Sequence, residues 1–303
     1  MKPFDLQVNG YAGADFCSLE LTTEDLHSGC QALVEDGFDG ILATVITDSI
    51  EGLVRKLEHL VKLRQKDEIA RNLIAGFHIE GPFLNSAPGF IGAHSPDHVK
   101  PGNPDDARRL WDASHGLAKL VTLAPENDPG FATTQFFASR DVVVSAGHCD
   151  PTVDQLQGAI DHGLTMITHF GNGCPVELPR HDNALQRMLH LRDQLWFCFI
   201  PDGAHIDFVA LRNYIDFVGL DRTIMTTDAI AATKLDPGLH ELSGLVIEVD
   251  EEGIARRPGS RNLAGSTITM PTLCRNLAEH LRLSETEIER VVDLNPRTAI
   301  FAE

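Results

Sequence analysis

A chain of 303 residues is long enough for one large core, and a barrel of about 250 residues fits inside it. Its composition, 43% hydrophobic and 23% charged, is that of an ordinary globular protein; it offers no apolar run of about 18 residues for a membrane span and no signal-peptide pattern at the start. A formal net charge of −19 argues against nucleic acid or an anionic membrane as partner, so any anion site has to be local and work against a repulsive field.

Short β-rich runs alternate with longer amphipathic stretches. Strands are expected at 4–9, 40–47, 74–80, 117–124, 141–147, 166–169, 196–200 and 223–227, with helices between them at 23–36, 49–64, 104–113, 152–162 and 206–217. Eight strands alternating with helices predict parallel βαβ units closed into an α/β fold, a (β/α)8 TIM-type barrel. After residue 228 the pattern changes. Segments 245–249 and 254–257, separated by Asp250-Glu251-Glu252-Gly253, predict a β-hairpin inserted at about 243–258 after the eighth strand, and two helices follow at 267–281 and 284–294. No repeat or linker divides the chain, so residues 1–303 read as a single catalytic domain. Six cysteines without CxxC spacing read as reduced, mostly buried thiols of a cytoplasmic protein.

The strand ends carry the chemistry. They read Gln7-Val8-Asn9, Thr47-Asp48, His78-Ile79-Glu80, Pro125-Glu126, Gly147-His148, Thr168-His169, Pro201-Asp202-Gly203 and Thr227-Asp228. Buried parallel strands should be apolar throughout, and in a barrel all these ends meet on one face, where active sites are built. Turn and helix-cap duties account for Thr47, Asp48 and Asp202. They do not account for the recurrence of His and Glu. Glu80, His148 and His169 close the third, fifth and sixth strands, and two imidazoles with a carboxylate suit one divalent metal with a position open for water. Zinc is the first expectation, with Fe, Co, Mn and Ni as alternatives; such an ion lowers the pKa of water from about 15.7 to about 7. Asp228 closes the eighth strand, where a carboxylate can take a proton from that water and pass it to a leaving amine. His78 is read as a core histidine, and His181, His190, His240 and His280 as surface residues.

With these residues in place, the chain resembles the N-acetylglucosamine-6-phosphate deacetylase family, a branch of the amidohydrolases. The matching segments are Asp5-Leu6-Gln7-Val8-Asn9-Gly10, His78-Ile79-Glu80-Gly81-Pro82-Phe83-Leu84-Asn85, Gly92-Ala93-His94, Val144-Ser145-Ala146-Gly147-His148, Thr168-His169 with Asn172, Asp202-Gly203-Ala204-His205-Ile206-Asp207, Thr227-Asp228-Ala229 and Leu263-Ala264-Gly265-Ser266. The resemblance implies Glu80, His148 and His169 as metal ligands and Asp228 as acid/base. It places Ala93 and His94 beside the acetamide, with His94 a second catalytic group that donates to the developing oxyanion. Asn172, the Gly173 backbone, Arg180 and His205 are implied as phosphosugar contacts, and Leu263, Ala264 and Gly265 as the loop along the substrate. The implied reaction is deacetylation of a phosphorylated amino sugar. Alternatives left open are an amidohydrolase acting on another N-acyl amino sugar or a cyclic amide, and a non-catalytic phosphosugar-binding barrel.

Two departures matter. Many amidohydrolases carry His-x-His at the end of the first strand, building a second metal site; Gln7-Val8-Asn9 stands there instead, so one metal is expected. Family members also have a longer segment before the first strand, which forms a small β-sandwich with a C-terminal segment. Two expectations stand for this chain: the sandwich is missing, or the chain is a trimmed version of something longer. A homodimer is expected to cover part of the barrel surface left exposed.

Overall fold

The computed structural model describes residues 1–242, 244–259 and 262–301. Eight buried runs become strands β1 (Phe4–Val8), β2 (Gly40–Ile46), β3 (Ile74–Glu80), β4 (Ala118–Leu123), β5 (Val143–Ala146), β6 (Leu164–Ile167), β7 (Trp196–Phe199) and β8 (Thr223–Met225). They pair in parallel in sequence order. The ladder runs from β1 to β8, and the remaining joint between those two strands is closed by the Val8–Ala229 bridge, with Asn9 N donating to Ala229 O at 2.7 Å. This is the expected barrel.

Helices cover the outer face because their apolar residues recur at helical spacing. In the helix Ile50–Lys66, Leu53, Leu57, Leu60 and Val61 are buried along one stripe, and the Ser49 side chain caps the first turn. Such caps stabilise a helix end by about 1 kcal/mol. The expected helix at 104–113 appears as Pro104–Ala113, capped by Asn103. The short helices Glu68–Leu73, Ala132–Ala138, Ala184–His190 and Asn295–Phe301 were not anticipated, being near or below two turns and carrying little periodicity. The segment 284–294 is helical at Glu285–Glu289 and continues as a π-turn at Arg290–Leu294.

The barrel interior changes character along its axis. Phe4, Leu6, Leu42, Leu120, Met166, Cys198 and Ile224 form one apolar cluster, closed by Ile300 of the last helix. Above it lies a hydroxyl chain: Thr122 Oγ1 sits 2.8 Å from His78 Nε2 and 2.7 Å from Thr168 Oγ1, which in turn sits 2.6 Å from Ser145 Oγ. His78 is fully buried there, the core residue expected, and burial pushes its imidazole down to about 4, so it stays neutral.

The segment after β8 holds three strands. β9 (Gly238–Leu242) and β11 (Ala255–Arg256) flank β10 (Leu245–Val249) in an antiparallel sheet. The hairpin strands were legible; β9 was missed because its side chains are mostly exposed and do not alternate cleanly. Ser243, inside the expected insertion, lies outside the described residues. His181, His190 and His280 are exposed as expected, whereas His240 is half-buried beside the Asp236 carbonyl. All six cysteines are free thiols, four of them buried. Among the described residues, no helix is long and apolar enough to cross a membrane.

Candidate active site

Glu80, His148 and His169 converge at the C-terminal mouth of the barrel. Glu80 Oε1 lies 3.0 Å from His169 Nε2 and 3.3 Å from His148 Nε2, and one ligand atom from each of the three residues falls within a 4.8 Å cluster. All three are buried. The other atom of two of these side chains is already engaged: Glu80 Oε2 accepts from Gln7 Nε2 at 3.2 Å, and His148 Nδ1 donates to the Phe90 carbonyl at 2.7 Å. The Phe90 bond fixes the His148 tautomer and turns the Nε2 lone pair toward Glu80 and His169.

Electrostatics agree with a cation site. Burial pushes the Glu80 carboxyl up, but the His148, His169 and His94 imidazoles packed around it hold it well below the usual carboxylate range. Burial and the neighbouring His94 bring His148 down to about 4, so it is a neutral imidazole ready to ligate. At His169 burial pushes the imidazole down, but the Glu80 hydrogen bond together with the Glu80 and Asp228 charges outweighs it and raises the imidazole. His94 Nε2 stands 3.2 Å from His148 Nε2 and 3.8 Å from Glu80 Oε1, at the edge of the same cluster. Two imidazole nitrogens facing one carboxylate oxygen in a buried pocket make a donor set that fits one divalent ion.

Asp228 faces this cluster. Burial and the Glu80 charge push it up to about 6, against the pull of His169, His205 and the Asn9 amide. That places it where a carboxylate both takes and returns a proton near neutrality. His148, His169 and Asp228 all adopt left-handed backbone, with φ of 51°, 29° and 51°. Non-glycine residues in this region cost about 1–3 kcal/mol each, and such strain collects at functional sites. Glycine supplies the room around them: a Cβ on Gly92 would meet His148 Cε1 at 2.7 Å, and one on Gly173 would meet His148 Nδ1 at 2.9 Å.

These residues open into a cavity of about 490 Å³, ample for a small ligand. Ala93, His94, Asn172, Gly173, His205, Leu263, Ala264 and Gly265 all line it, as do Glu80, His148, His169 and Asp228. Arg180 does not; it lies on an exposed loop outside the lining. Arg256 of β11 is the one lysine or arginine lining the cavity among the described residues. Reading 254–257 as a hairpin strand gave no reason to single it out; the signal was its register opposite Leu263, a residue already assigned to the substrate loop.

Asp202 also does more than end a turn. Its Oδ2 accepts from His205 Nδ1 at 2.6 Å and from Ser266 Oγ at 2.9 Å, while Oδ1 accepts the amides of Ala204 and His205. Burial raises the Asp202 carboxyl, but His205 and the amides outweigh it and hold it below its ordinary value. His205 is thereby fixed with Nδ1 toward Asp202.

No protein-family model matches the chain. Among curated proteins it is 30% identical over 294 residues to N-acetylglucosamine-6-phosphate deacetylase of Lysinibacillus sphaericus, covering 96% of this chain and 73% of that one. The enzyme of the same name from Bacillus subtilis is 27% identical over 293 residues, covering 96% and 72%. Among solved structures, a mutant N-acetyl-D-glucosamine-6-phosphate deacetylase from Mycobacterium smegmatis in complex with N-acetyl-D-glucosamine-6-phosphate superposes with a TM-score of 0.89 at 28% identity, covering 99% of this chain and 77% of that one. A barrel of this order, a two-histidine, one-glutamate cluster at its mouth and relatives matched over nearly the whole chain give one answer: the chain belongs to the N-acetylglucosamine-6-phosphate deacetylase family of metal-dependent amidohydrolases.

Proposed function

We propose that this chain, acting as one catalytic domain, hydrolyses the acetamide of N-acetylglucosamine-6-phosphate to glucosamine-6-phosphate and acetate. The observation that carries this reading is the convergence of Glu80, His148 and His169 beside Asp228 inside the cavity. A divalent ion held by those three side chains, zinc by preference for this donor set, supplies a Lewis acid and makes water a nucleophile near neutral pH. The remaining steps belong to the protein. Asp228 takes a proton from the attacking water and returns it to the departing amine, which its position near neutrality allows. His94, buried at the edge of the cluster, donates to the carbonyl oxygen as charge develops on it.

The sugar phosphate lies further out along the wall. His205, the Gly173 backbone and Asn172 line that wall, and Asn172 Nδ2 is buried without a partner, so it has a hydrogen bond to offer. Arg256 adds the positive charge that a dianion needs in a chain of net charge −19. Arg180 reaches the same anion only if its exposed loop closes or a second copy presents it. A homodimer and a cytoplasmic location belong to this proposal, and size-exclusion chromatography tests the former. An acetate-release assay on N-acetylglucosamine-6-phosphate, with metal content measured on the same sample, tests the reaction. A metal-loaded chain that releases no acetate refutes it.

A further inference from the structure

Among the buried carboxyls that the mechanism leaves unused is Asp5. Asp5 on β1 is fully buried, and its carboxylate reaches across the joint between β1 and β8, where the barrel has no continuous ladder. Oδ1 accepts the Gln7 amide at 3.0 Å and the Thr226 hydroxyl, and Oδ2 accepts the Thr227 amide at 2.9 Å. The strand β8 ends at Met225, so Thr226 and Thr227 are the only residues between the last laddered position and Asp228. On the far side, Ala229 O is held by Asn9 N, and Ser266 N donates to the Asp228 carbonyl at 3.0 Å. Asp228 itself sits in left-handed backbone, which persists only when its neighbours over-determine it.

We infer that Asp5 is a positioning residue for the reaction: by gripping Thr226 and Thr227 it fixes the backbone from which Asp228 reaches the substrate. The inference rests on the acid/base role proposed for Asp228. A neutral residue at position 5 would loosen the grip on Thr226 and Thr227 and leave the joint to the Val8–Ala229 bridge and the Asn9 bonds to Ala229 and Asp228. The backbone that presents the Asp228 carboxylate would then be less firmly held. A misplacement of about 1 Å in such a group costs on the order of 100-fold in rate without altering how substrate is held.

Asp5→Asn and Thr226→Val are therefore assayed for acetate release with metal stoichiometry and thermal midpoint measured alongside, with Thr226→Ser as the conservative control. Expected are a fall in kcat of roughly 10–100-fold for Asp5→Asn, a smaller fall for Thr226→Val, KM within about two-fold of the parent and an unchanged metal content. Thr226→Ser, which keeps the hydroxyl, should restore kcat. If Asp5→Asn does not fold, the Thr226 pair decides: equal kcat for the Val and Ser variants overturns the inference. So does a folded Asp5→Asn with unchanged kcat, or one that loses kcat, KM and metal together. A parent chain that holds metal but releases no acetate sinks the proposed reaction and the positioning role with it, whereas an active parent with unaffected variants sinks the positioning role alone.

Discussion

Asn9 and Asp228 meet across the joint between the first and last barrel strands, the Asn9 amide donating to Asp228 Oδ1 at 2.7 Å. In amidohydrolases with a second metal this corner carries a histidine pair; here a neutral amide holds the proposed acid/base instead. Asp228→Asn is expected to lose turnover by about 100-fold or more while keeping its metal. Asn9→Ala removes a bond that favours the charged carboxylate, so the Asp228 pKa rises further from about 6. Because the reaction begins with Asp228 ionised, the acid limb of the pH–kcat/KM profile should move to higher pH. An acid limb that stays in place would show that another group controls it.

Glu80 is the anionic member of the proposed metal cluster. Glu80→Gln is expected to abolish stoichiometric metal binding, measured by elemental analysis after dialysis. Metal bound to the native state at about 100 times its Kd stabilises that state by about 2.7 kcal/mol. Chelator should therefore lower the melting temperature of the parent chain and leave that of Glu80→Gln unmoved.

The phosphate contact separates Arg256 from Arg180. Hydrogen bonds to a charged group contribute about 1.5–3 kcal/mol, so Arg256→Gln should raise KM for N-acetylglucosamine-6-phosphate by roughly 10–100-fold. Activity on unphosphorylated N-acetylglucosamine should hardly change. Arg256 already pairs with Asp250 at 3.0 Å through one Nη1, leaving donors for a ligand. If Arg180→Ala raises KM and Arg256→Gln does not, the anion is met from the exposed loop.

Asp202 gives a signed pH prediction. Its carboxyl is lower in the folded chain than its ordinary value, so its contribution to stability is complete above the unfolded-chain pKa. That contribution is lost as pH falls through the folded value. Urea unfolding at a series of acid pH values should show a steeper loss of stability for the parent than for Asp202→Asn. Parallel curves would mean that the His205 pairing contributes nothing to folding. Asp202→Asn should also raise KM, since His205 loses the partner that orients it.

The barrel was legible because parallel strands buried on both faces leave unbroken apolar runs, and their polar ends stand out against them. That contrast is what singled out Glu80, His148, His169 and Asp228 as candidates. Arg256 and Asp202 were harder for opposite reasons. Arg256 sits in a short strand whose register, set by the turn at Asp250 and the bridge to Leu263, is a tertiary fact. Asp202 looks locally like any turn residue, since two of its bonds go to the amides of Ala204 and His205; its bond to Ser266 Oγ spans 64 residues of sequence. Asp5 is invisible in the same way, since its bonds to Thr226 and Thr227 span 221 and 222 residues of sequence. Arg180 shows the converse: arginine in a loop satisfies the chemistry of phosphate recognition, but its side chain stands outside the cavity wall.

The left-handed backbone at His148, His169 and Asp228 sets stability against activity. At each position glycine would relieve the strain and erase the chemistry, but at His148 and His169 it would also remove a metal ligand and the stability that bound metal supplies. Asp228→Gly is therefore the substitution expected to melt higher and do nothing. Laboratory selection for thermal resistance alone would be drawn to Asp228 among the first, and a useful stabilised variant has to be sought on the outer helices instead.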